Sequence, residues 1–303
     1  MKSLQKLSHD FHMASHRLGQ SHRTQEARLS TAATFVKCIE ANGVQIDTLK
    51  QIGGRHLRMF VAHQLQGSAP STVRNQMAHL RECLRAVDKH ALADDPTYSN
   101  ANLGIPKTSR KGKKIPLTAE QVENLYAQAV ARGRPGHGIG IKLQFVIGLR
   151  AEEIVQSSAS VLARWLLELA DGDAITVSEG TKGGYVRQTH VPDKEAAIAV
   201  ITEALAIARR QGGFLIQHIN PSPLSLEQAI NCYCNYFDYR GVQTHSARYS
   251  FACKRMEAYM ATGMTLKQAL SRTGRDLGHG PGRGRWVKSV YLAYWLEKSG
   301  TTL

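Results

Sequence analysis

Residues 107–116, KTSRKGKKIP, constrain this chain more than any other feature. Half of these ten residues are Lys or Arg, and the one Gly and the closing Pro break regular structure. Such a stretch belongs in no packed core and reads as a linker. Each side must then bury its own apolar surface. This predicts one domain over residues 1–106, a basic linker over 107–116 and a second domain over 117–303.

The first segment reads as helices. Leu29, Ala32, Ala33, Val36 and Ile39 recur at helical spacing, as do Leu57, Phe60, Val61 and Leu65. A third set, Val73, Met77, Leu80 and Leu84, follows Ser71, a candidate N-cap. Arg74, Arg81 and Arg85 share another face of that helix, a row able to lie along a phosphate backbone. The plain alternative is a solvated surface.

The second segment opens at Leu117. Thr118 and Gln121 form a capping box, stapled by Leu117 and Val122. One long helical run is expected through residues 140–154. Residues 173–180 and 185–192 read as two strands joined by a turn at Thr181–Gly184. Helix returns at 194–210. Ser225 with Gln228 forms another capping box, and Thr244 and Thr265 are further N-cap candidates.

The formal net charge is +15, and residues 1–115 carry 18 basic against 8 acidic side chains. That excess favours a polyanionic partner, because neutralised phosphates release counterions. Arg110, Lys111, Lys113 and Lys114 of the linker are candidate DNA contacts. Five scattered cysteines suggest neither a disulfide framework nor a metal cage, and read as reduced thiols of a cytoplasmic protein. No apolar run approaches membrane-helix length, so no membrane partner is expected.

Four islands carry chemistry: Arg150 with Glu153; Lys182 in the strand turn; His245-Ser-Ala-Arg248; and Leu277-Gly-His279 followed by Tyr291. Alone, each has a bland reading as a surface pair, a turn lysine or a capped helix start. Together and in this order they resemble the tyrosine recombinases, the phage integrase family, over nearly the whole chain. Ser71-Thr-Val-Arg-Asn75 and Leu80-Arg81 also match that family's core-binding domain. The resemblance implies a mainly α fold: a helical, SAM-like core-binding domain, then an α+β catalytic domain with a small antiparallel sheet. It implies duplex DNA as substrate, a homo-tetramer on DNA, accessory DNA-bending proteins, and no metal or other cofactor.

The residue types suit phosphodiester exchange. Arg150 and Arg248 can grip the non-bridging oxygens with permanently charged forks. By the resemblance, Tyr291 attacks phosphorus and stays on the 3′ end, and Lys182 protonates the leaving 5′ oxygen. His245 and His279 can bond the phosphate and move protons; which is the base stays open. Glu153, one turn from Arg150, orients the framework.

One departure concerns the nucleophile. Many family members place it about nine residues after the histidine, where this chain has Lys288. Tyr291 stands twelve and Tyr294 fifteen after His279, and Tyr291 is preferred. The Gly-rich stretch between holds Arg283 and Arg285, candidate DNA contacts. Beyond it, Leu292, Trp295 and Leu296 form a stripe that docks on a neighbouring copy or on its own domain. A relaxing topoisomerase of type IB, a dimer-resolving recombinase and a non-catalytic DNA binder are the competing readings.

Overall fold

The computed structural model describes residues 2–20, 22–109, 114–216, 224–280 and 282–298. Arg110, Lys111 and Lys113, expected as DNA contacts, lie outside these. Two compact units emerge, Met1–Ser109 and Arg110–Leu303.

The first unit is a helical bundle. Its helices are α1 (Lys2–Arg17), α2 (His22–Ala41), α3 (Gly54–Leu65), α4 (Pro70–Arg85) and the single turn α5 (His90–Ala93). Its core packs Phe11 of α1 edge-on to Phe35 of α2 and Phe35 at a tilt to Phe60 of α3, with ring centres 5.7 and 5.3 Å apart. Each ring contributes roughly 2–3 kcal/mol by leaving water. The buried guanidinium of Arg28 on α2 reaches Glu82 on α4 at 2.8 Å. Helix α4 starts with Pro70 after an Ala69 cap, so Ser71 is not the cap. Proline suits that place, since its locked φ fits and its missing N–H would find no partner there anyway.

The second unit carries α6 (Ala119–Ala131), α7 (Pro135–Ile147), α8 (Ala151–Val155), α9 (Ala159–Asp171), β1 (Ala174–Val177), β2 (Arg187–His190), α10 (Lys194–Arg210), α11 (Leu226–Asp238), α12 (His245–Ala261), α13 (Leu266–Asp276), α14 (Gly284–Val290) and α15 (Ala293–Lys298). Helix α7 is buried almost all round and packs against α6, α10 and α12. The strands pair antiparallel, from Ala174 opposite His190 to Val177 opposite Arg187. Their connection is longer than the expected four-residue turn, with Lys182 at its tip followed by Gly183 and Gly184, both at left-handed φ. The capping boxes at Thr118 and Ser225 form, and Thr265 caps α13. Thr244 does not cap: its backbone is already helical.

The expected continuous helix over 140–154 is broken at Gly148, which takes φ +75° and ends α7. The buried amide of Gln144 then donates to the Leu149 carbonyl at 3.1 Å, fixing the turn. The break makes Arg150 the residue that precedes α8. A methyl group on Gly148 would sit 2.3 Å from the Phe251 ring. Gly148→Ala is therefore expected to cost roughly 2–5 kcal/mol, from left-handed strain plus overpacking. Urea unfolding followed by tryptophan fluorescence measures it, because all three tryptophans, Trp165, Trp286 and Trp295, lie in this unit.

Candidate active site

The site forms where the Gly148–Arg150 turn, β2, the start of α12, the Leu277–His279 turn and the end of α14 meet. Its centre is the carboxylate of Glu153, 1% exposed. From the first turn of α8, Glu153 accepts the Arg150 backbone N–H at 2.7 Å and the Arg150 guanidinium at 2.7 Å. It also takes both ends of the Arg187 fork, one at 2.8 Å, and Arg248 lies 4.0 Å away. Burial alone would raise the pKa of Glu153, but the Arg187 hydrogen bond and the three guanidinium charges outweigh it and lower it to about 2.

Arg150 reaches on to the carbonyls of Leu277 and Gly278, at 3.0 and 3.3 Å. Arg248, fully buried on α12, donates to the carbonyls of Gly148 and Leu277. Its Nε–H donates to the Tyr291 hydroxyl at 3.2 Å. His245 Nε2 stands 3.2 Å from the same oxygen. Tyr291 itself is 2% exposed, its ring 4.6 Å from Tyr249 and 5.3 Å from Trp286 between centres. His279 packs edge-on to Trp286, with centres 4.4 Å apart. Its buried Nε2 has no hydrogen-bond partner among the described residues. Gly278, at φ +66°, turns the chain where a side chain would strike Arg187.

Burial, then Arg248 and neighbouring cations, lower the pKa of both His245 and His279 to about 3. Both are thus neutral near pH 7 in the free protein. Because the unfolded histidines titrate near 6.5, acid favours the unfolded chain: stability holds above that pH and falls as pH drops from 6.5 toward 3. Glu153 acts in the same direction below its unfolded pKa. His245→Asn is expected to shrink the loss of stability between about pH 7.5 and pH 5, read as the shift in urea midpoint. An undiminished shift would contradict the burial of a neutral imidazole.

Arg150, Glu153, His245, Arg248, His279 and Tyr291 are thus brought together. Lys182 is not: it stands exposed at the tip of the strand connection. Tyr294 is also apart, its ring 6.0 Å from the Lys298 ammonium. Arg283 and Arg285 are exposed, and Arg283 is near enough to His279 to lower its pKa. Lys114 is half-buried and acts on His245 in the same way. In the first unit Arg81 is bonded to the Tyr98 carbonyl at 2.6 Å and to Asn100 at 3.0 Å. Arg85 pairs with Asp94, and Arg74 reaches the Pro106 carbonyl at 3.4 Å. In the free protein these three arginines hold the 94–106 segment rather than standing free along a groove. The C-terminal stripe packs in cis: Leu292 is fully buried, and Trp295 donates to Glu257 at 2.7 Å.

Arg187, Asp276, Trp286 and Tyr249 were not picked out from sequence. Arg187 had a signal: it falls on the inward phase of an alternating strand, where a charge demands a buried partner. Asp276 is 1% exposed. It binds His190 at 3.0 Å, Arg255 at 3.0 Å and Tyr259 at 2.7 Å, while its carbonyl takes Arg187 at 3.1 Å. Nothing in its spacing announced that.

The family model described as Integrase matches residues 104–255, half of the chain, and the one described as Phage integrase, N-terminal matches residues 4–93. This chain belongs to the tyrosine recombinase family of phage integrases. No curated protein matches it. Among solved structures it is similar to the Tn1549 transposon integrase in complex with transposon right end DNA. There the TM-score is 0.62 at 13% identity, covering 99% of this chain and 100% of that one. It is also similar to a lambda integrase tetramer bound to a Holliday junction, at TM-score 0.58 and 16% identity over 90% of this chain and 74% of that one. XerH recombinase bound to a palindromic difH substrate gives 0.55 and 19%, over 91% and 79%. At these identities the likeness is one of fold: helical N-terminal unit, helical catalytic unit and small antiparallel sheet.

Proposed function

We propose that this integrase-family protein is a site-specific DNA recombinase that cuts and rejoins duplex DNA through a phosphotyrosine bond at Tyr291. One observation carries the reading: a single buried phenol lies within hydrogen-bond reach of both His245 and Arg248. Glu153 holds Arg150 alongside.

The chemistry follows from that arrangement. The scissile phosphate enters beside Arg150, whose side chain keeps 21% exposure, and beside the unpartnered Nε2 of His279. Its negative charge offsets the cations that depress the histidines, so His245 becomes a better proton acceptor as substrate binds. His245 takes the phenol proton while Tyr291 turns off Arg248 and attacks phosphorus. The P–O5′ bond breaks as the Tyr–O–P bond forms, leaving a 3′-phosphotyrosine. Arg150 and Arg248 stabilise the charge that grows on the non-bridging oxygens. Lys182, carried on the exposed strand connection, meets the DNA and gives the leaving 5′ oxygen its proton. Glu153 orients the arginines without touching substrate. The reverse attack by a 5′ hydroxyl rejoins the strand, so bond energy is conserved and no ATP is required.

The partner is double-stranded DNA, engaged by both units. The exposed Arg283 and Arg285 and the linker cations Arg110, Lys111, Lys113 and Lys114 make backbone contacts. Arg74, Arg81 and Arg85 do so after exchanging their present partners. Lambda integrase forms a tetramer on a Holliday junction, and a tetramer is proposed here. The biological act is integration or excision of a mobile element, in the cytoplasm. The phage integrase N-terminal unit favours this over a relaxing topoisomerase.

Strand exchange tests the proposal. Labelled duplexes of different length, tiling the DNA on both sides of the protein's own gene, are mixed with protein in EDTA without ATP. Recombinant lengths are expected. Uniform relaxation of supercoiled plasmid with no recombinants would overturn the recombinase reading.

A further inference from the structure

A cleft of about 850 Å³ opens between β2 with its preceding loop and the outer face of α13. Its lining includes Tyr185 and Val186 ahead of β2, Arg272 and Arg275 of α13, and Gly278 and Gly280 beyond it. Arg272 and Arg275 are one turn apart on α13, so both project from one face. Both are exposed, and neither pairs with a carboxylate among the described residues; Arg272 lies 5.9 Å over the Tyr259 ring. The one acidic residue of the lining, Asp276, is buried and already saturated by His190, Arg255 and Tyr259. The cleft is therefore strongly cationic with nothing inside to neutralise it. His279, whose Nε2 lacks a partner among the described residues, belongs to the lining, and Arg150 adjoins it through its bond to the Gly278 carbonyl.

We infer that this cleft is a second phosphate subsite, holding the DNA strand next to the scissile phosphate. The inference rests on the proposed recombinase reading and adds the path of the strand. A strand leaving the Arg150–His279 corner along the cleft passes Gly278 and Gly280, which present no side chain and let a sugar–phosphate backbone approach closely. Arg272 and Arg275 are then the charged groups it meets, and forks of this kind suit phosphate oxygens. Tyr185, 81% exposed and part of the lining, offers an aromatic face to a sugar or base edge. A peptide carboxylate would need only one fork; two arginines a turn apart fit a repeating anion.

The test is the salt dependence of binding to a 40-base-pair duplex of random sequence. Removing two phosphate contacts lowers the slope of log K against log salt by about 1.8. R272A/R275A is expected to show that loss with an unchanged thermal midpoint. R209A/R210A removes the same charge from the exposed end of α10, outside the cleft, and is expected to leave the slope near the full protein's. A full slope in R272A/R275A, or an equal loss in both variants, overturns the subsite. This readout is separate from catalysis: lack of recombinants with a reduced slope would refute the reaction and leave only a DNA-phosphate contact at the cleft.

Discussion

Replacing Arg187 by Ala is expected to destabilise the catalytic unit by about 3–5 kcal/mol. The residue is 8% exposed and both ends of its fork are bonded to the buried Glu153 carboxylate. Breaking a buried pair strands the remaining charge, and that penalty exceeds the net worth of the pair itself. Arg187 also joins β2 to the end of α13 through the Asp276 carbonyl. Its loss loosens the turn whose carbonyls hold Arg150 and Arg248. The catalytic effect should appear in kcat more than in KM, since Arg187 positions groups rather than touching substrate. Tryptophan fluorescence in urea reads the stability. A loss below 1 kcal/mol would mean that Glu153 is satisfied without it. Arg187→Lys is expected to recover only part, because one ammonium cannot span both carboxylate oxygens.

Arg248→Lys is expected to slow DNA cleavage by roughly 10²–10³-fold, the usual effect of losing one transition-state donor. DNA affinity should change little. The guanidinium is used in three directions at once, toward the Gly148 carbonyl, the Leu277 carbonyl and the Tyr291 hydroxyl. A lysine keeps the charge but supplies no planar fork, so it can serve the carbonyls or the reacting groups but not both. Single-turnover cleavage with saturating protein separates the two effects. A variant that cleaves at the normal rate but binds weakly would assign Arg248 to binding alone.

Much of this was legible in the sequence because local rules were obeyed. The capping boxes at Thr118 and Ser225 and the apolar period of α4 mark their helices plainly. The ordered set from Arg150 to Tyr291 marked the chemistry. What was missed depends on contacts far apart in the chain. The run over 140–154 looked like one helix because apolar residues recur through it and no proline interrupts it. The left-handed Gly148 ends it, and the packing of Phe251 there leaves no room for a side chain. Asp276 drew no notice in the sequence, although it gathers residues from β2 and α12. The arginine row on α4 was real, but its partners in the 94–106 segment are set by tertiary contact, which periodicity does not encode. The choice between Tyr291 and Tyr294 was settled in neither direction by spacing; a phenol shared by His245 and Arg248 is a three-dimensional fact.

The most direct test is to capture the covalent intermediate and find which residue carries it. Protein is incubated with nicked substrate duplex, so that the cleaved end diffuses away, then denatured, digested and sequenced by mass spectrometry. A nucleotide adduct on Tyr291, lost in Tyr291→Phe and retained in Tyr294→Phe, is the predicted result. An adduct that persists in Tyr291→Phe, on Tyr294 or on any other side chain, would contradict it.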